Sequence, residues 1–70
     1  MPLSMSEAGK EVTIIRIGGK QELRMHLEDM GFVPGTPIAL ISVLNGSVIV
    51  NIKDTRVAIS EEMAKHILVA

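Results

Sequence analysis

Thr36-Pro37-Ile38-Ala39-Leu40-Ile41-Ser42-Val43-Leu44-Asn45-Gly46-Ser47-Val48-Ile49-Val50-Asn51-Ile52 is the stretch from which the architecture can be read. Two runs rich in β-branched residues flank Asn45-Gly46, a pair that accepts positive φ at both central positions of a tight turn. Residues 36–52 therefore read as a β-hairpin. A two-residue loop sets Leu44 opposite Ser47, Val43 opposite Val48, Ile41 opposite Val50 and Ala39 opposite Ile52. The last three pairs share one wholly apolar face, expected to point inward. The opposite face carries Leu40, Ser42, Leu44, Ser47, Ile49 and Asn51, more apolar than a solvent face requires. Its Leu40, Leu44 and Ile49 are the candidate partner-binding residues; the competing reading has the N-terminal segment cover them through Leu3 and Met5.

Upstream of the hairpin, Val12-Thr13-Ile14-Ile15-Arg16-Ile17 reads as a strand bounded by Gly9 and by Gly18-Gly19. The doublet Ile14-Ile15 breaks alternation, so either both faces are covered there or a bulge intervenes. Over residues 21–30 the period changes, with Leu23, Leu27 and Met30 on one helical face. Gly19 is the expected N-cap, and Glu22 suits the helix dipole. Gly31 stands at the C′ position, Phe32 follows at C″ against Leu27, and Pro34-Gly35 prevents continuation. Downstream, a turn at Lys53-Asp54-Thr55 leads into a fourth strand over residues 56–59. Ser60 caps a helical turn opened by Glu61 and Glu62, whose Met63 and Ile67 continue the apolar stripe, and Leu68-Val69 returns as a closing strand. The expected fold is mostly β: a small closed or nearly closed barrel of about five short strands, with a helix after the first and a helical turn before the last.

Composition limits what such a fold can do. Seventy residues build one core, so residues 1–70 are read as a single domain. With 47% hydrophobic residues and Phe32 as the sole aromatic, that core must be aliphatic. The absence of cysteine removes disulfides and thiolate metal sites, which fits a reducing cytoplasm. The net charge of -1 comes from interspersed signs, without the basic stripe or stacking aromatics of a nucleic-acid reader. Apolar runs such as residues 38–44 fall far short of the roughly 20 residues of a membrane span, and the first residues lack a signal-peptide pattern. No nucleic-acid partner and no direct membrane insertion are expected.

Leu27-Glu28-Asp29-Met30-Gly31-Phe32-Val33-Pro34-Gly35 resembles the FeoA signature, a helix ending in Leu-x-x-Met/Leu-Gly-x-x-Pro-Gly before a strand. Residues 57–69 are similar to the family's closing strand, acidic helical turn and final Ile-x-Val, and Leu3 and Gly9 fit its opening, so the resemblance spans about residues 3–69. It implies an SH3-like barrel, a cytoplasmic location, and partnership with the ferrous iron transporter FeoB, a membrane protein with a cytosolic GTP-binding domain. Recruitment to the inner membrane face would follow from that partnership. Related domains also occur on metal-dependent repressors, which makes a metal-responsive or self-associating SH3-like domain the alternative. Many relatives carry a longer, basic, proline-containing connection where this chain has only Leu44-Asn45-Gly46-Ser47.

Residue chemistry adds little to this. Glu22 with His26, and Glu62 with His66, stand at i, i+4, which offers a divalent transition metal two ligands each; neither pair makes a site alone, and no cofactor is required. A solvated polar pair is the plainer reading of both. Gly18-Gly19-Lys20 lacks the full phosphate-cradle pattern and reads as a turn. No nucleophile, base and acid constellation stands out, so no catalytic residue is assigned. Arg16, Arg24 and Arg56 are available for a GTPase-activating role, but none is marked out by its neighbours.

Overall fold

A computed structural model describes residues 1–70. A single tight helical turn at Leu3–Met5 is followed by β1 (Glu11–Ile17), α1 (Gln21–Asp29), β2 (Pro37–Leu44), β3 (Ser47–Ile52), β4 (Thr55–Ser60), α2 (Glu61–Lys65) and β5 (Ile67–Val69). The strands pair antiparallel in the order β4-β3-β2-β1-β5, in the mostly β, five-stranded SH3-like fold that the resemblance implies. The hairpin turns at Asn45 and Gly46, with φ of 50° and 79°. A second two-residue turn, Lys53-Asp54, also takes positive φ, 51° and 60°, and delivers the chain into β4.

The register of the hairpin differs from the expected one. Leu44↔Ser47 and Val43↔Val48 pair as read, but a bulge between Leu40 and Ser42 sets Ser42 opposite Ile49 and Leu40 opposite Val50. One unpaired residue, Ile41, inverts the alternation for everything beyond it. Leu40, expected on the outer face, is therefore 4% exposed, and Ile38 is buried beside it against Val50 and Ile52. Ala39 falls opposite Asn51, and Ile41 is half-buried rather than in the core. Val43 keeps its partner yet is 50% exposed while Val48 is fully buried, because β1 pairs with β2 only over Pro37–Ala39 and no strand flanks Val43 on its other side, whereas β4 flanks Val48.

A second bulge resolves the Ile14-Ile15 doublet. Ile14 pairs with Val69 and Arg16 with Leu68, leaving Ile15 unpaired and exposed. β1 pairs with β2 over residues 11–13 and with β5 over residues 14–17, so the bulge lies just past the hand-over from one neighbour to the other, where it adds to the curl of the sheet.

α1 ends as its sequence requires. Phe32 N–H donates to Leu27 O and Gly31 N–H to Glu28 O, both at 2.9 Å, with Gly31 at φ +97°. This is the Schellman pair of bonds, and it seats Phe32 and Leu27, both fully buried, against each other's element ends. At the other end the N-cap is Lys20, not Gly19, and no side chain caps it. Gly19 sits at φ +85°, outside the extended region an N-cap adopts. α2 begins as expected, Ser60 Oγ accepting from Met63 N–H at 3.2 Å. The N-terminal turn packs on α2 and β5, where Leu3 is fully buried, and Met5 points to solvent.

Candidate functional site

Register places the outer face of the hairpin. Ser42, Ile49 and Ala58 form one cross-strand row, and Leu44, Ser47 and Ser60 form the next. Leu44 and Ile49 thus lie diagonally adjacent, within reach of each other across the strand pair. Leu44 is 65% exposed, Ile49 is half-buried and Ala58 is exposed. The N-terminal segment leaves this surface open, contrary to the alternative reading, because Leu3 is spent in the core between α2 and β5. Serines flank the aliphatic centre, and Glu61 N–H donates to Gly46 O at 3.0 Å, fastening the hairpin tip to the start of α2. The result is a small apolar patch on a rigid platform. Leu40 does not belong to it. Ala58 does, although the sequence reading missed it: its membership follows from β3–β4 pairing, and alanine carries no signal of its own.

The Glu/His pairs stay apart. His26 is exposed on α1 and makes no ion pair with Glu22. His66 Nε2 lies 3.7 Å from Glu62 Oε1, and Lys65 Nζ lies 3.9 Å from Glu62 Oε2. Nowhere do three His, Asp or Glu side chains gather as a metal shell would require. The His66 ring instead packs on the β1–α1 turn, where a Cβ on Gly19 would come within 3.2 Å of its Cγ. Gly18 N–H is committed to His66 O at 2.7 Å, so the Gly18-Gly19-Lys20 segment is a packed turn with one amide already used.

One depression of about 200 Å³ opens on the same face of the sheet, beginning one cross-strand row beyond Ile49, among Glu11, Ala39, Asn51, Lys53 and Asp54. It contains no nucleophile with a base in reach. Arg16, Arg24 and Arg56 are all exposed on the surface. No helix is long and apolar enough to cross a membrane.

The sequence matches the FeoA domain family over residues 1–70. No curated protein matches it. Among solved structures, the crystal structure of an iron uptake regulatory protein (FeoA) is similar at TM-score 0.88 and 27% identity, covering 99% of this chain and 93% of that one. Iron(II) transport protein A from Clostridium thermocellum is similar at TM-score 0.89 and 30% identity, covering 99% of this chain and 44% of that one. A manganese-dependent transcriptional repressor shares the fold at TM-score 0.90 and 18% identity, covering 100% of this chain and 40% of that one. With the family match running the whole length, and the glycine-terminated helix and strand order in place, the chain belongs to the FeoA domain family of ferrous iron transport.

Proposed function

We propose that this protein is a non-enzymatic accessory module of ferrous iron uptake that acts in the cytoplasm by docking on the GTP-binding part of a FeoB-type membrane transporter. The observation that carries this reading is the uncovered outer face of the hairpin, with Leu44 and Ile49 side by side and Ala58 next to them. Aliphatic groups held at the surface of so small a domain lose free energy to water unless a partner covers them, and serines at the rim allow the patch to stay wet when free.

The test is binding of the full chain to the transporter's cytosolic portion in its GDP and GTP-analogue states, together with GTP hydrolysis measured with and without the chain. Binding in at least one nucleotide state, lost on Leu44→Asp, is expected. A null result in every nucleotide state overturns the proposal.

A further inference from the structure

The sheet has two edges, and the chain treats them differently. At β5, Pro2 bridges to Leu68, Val69 N–H donates to Met1 O at 2.7 Å, and the Met1 nitrogen donates to Val69 O at 3.1 Å. That edge is covered by a segment containing a proline, which has no N–H to offer a further strand. Nothing equivalent protects β4. The Lys53-Asp54 turn makes Ile52 and Thr55 its first hydrogen-bonded pair, so Thr55, Val57 and Ile59 bond toward β3. The N–H and C=O groups of Arg56 and Ala58, and the N–H of Ser60, then point away from the sheet. No loop, helix or further strand bonds them. β4 has no proline, no bulge and one charged residue, Arg56.

We infer that two copies of this chain pair through β4, antiparallel about a two-fold axis at Ala58, so that the sheets run continuously across a dimer. The register follows from which groups are free. Ala58 faces Ala58 of the second copy, exchanging N–H and C=O, and each Ser60 N–H donates to the other copy's Arg56 carbonyl. Charge selects a second copy as the occupant. β4 is basic at its start, where Lys53 and Arg56 outweigh Asp54, and acidic just past its end, where Glu61 and Glu62 open α2. Antiparallel pairing brings each basic end beside the other copy's acidic end, and the two-fold uses that match twice. The small Ala58 side chains allow the strands to approach, and they join the two outer apolar patches across the axis.

The pairing is independent of any transporter, so the experiment uses the full chain alone. Sedimentation velocity across a concentration series is expected to show a reversible dimer, with amide exchange at Ala58 and Ser60 slowing as the dimer fills. Ala58→Pro removes a free donor but no bond to β3, as edge strands tolerate, and should give a monomer. Arg56→Glu should raise the dissociation constant by at least about tenfold, and adding Glu61→Lys should recover it. Amide spectra confirm that each variant is folded; the charge pair serves if the proline variant is not. A monomer throughout the series, or a dimer whose dissociation constant neither the proline nor the charge reversal changes, overturns the inference.

Discussion

Gly31 carries the turn out of α1 at φ +97°, where a β-branched residue is strained. A Cβ there would meet only Lys53 Nζ, at 3.8 Å, so the cost of substitution is conformational and not steric. Gly31→Val should lower stability by at least about 1 kcal/mol, read as a fall in Tm; an unchanged Tm would show that the backbone escapes the left-handed region at no cost. The two histidines, alike in the sequence, separate at this scale. His26→Ala should stay within about 0.5 kcal/mol, because the side chain is exposed and bonds nothing. His66, with its side chain 35% exposed and its ring on Gly19, loses packing when truncated, and His66→Ala should cost more than His26→Ala in parallel urea unfolding. Equal midpoints for the two variants would remove any structural role from the His66 ring.

Within the hairpin, what the sequence discloses and what it conceals lie four residues apart. Asn45-Gly46 announces its turn because few pairs accept positive φ twice, and the pairings nearest the turn follow from it. The bulge at Ile41 has no such mark, since any of several aliphatic residues can be the unpaired one and the choice is made by packing with the rest of the barrel. The Schellman ending of α1 was legible for the same reason as the turn: glycine and a following apolar residue have few other uses together. The consequence for the candidate site is direct, for Leu40 and Leu44, which unbroken alternation sets on one face, occupy opposite environments. Leu40→Asp and Val50→Asp each place an unpaired carboxylate in the aliphatic core and should prevent folding, as judged by loss of amide dispersion. Leu44→Asp should leave a folded domain that no longer binds the transporter's cytosolic portion. A folded Leu40→Asp protein would refute the bulged register.

The two ends of the chain close the molecule. Residues 67–69 add β5 to β1, and the turn at Leu3–Met5 lays Leu3 over α2 and β5, where it joins Ala64, Ile67 and Val69 in the core. The sequence announces the closing strand at Leu68-Val69 but not the seat of Leu3, because the first residues have neither helical nor strand period and Leu3 differs from Met5 in no pattern that predicts burial. A core of this size has few layers, and a side chain that fills the gap between helix, closing strand and barrel has no neighbour able to replace it. Leu3→Ala should therefore cost about 2–5 kcal/mol, a large share of what a cysteine-free domain this small can hold. Met5, two residues on and 71% exposed, supplies the control: Met5→Ala should remain within about 0.5 kcal/mol. Urea unfolding of both variants decides the matter, since an unperturbed midpoint for Leu3→Ala would mean that the N-terminal turn is not part of the folded core, and β5 would then lack the Met1–Pro2 cover that leaves β4 as the sheet's one open edge.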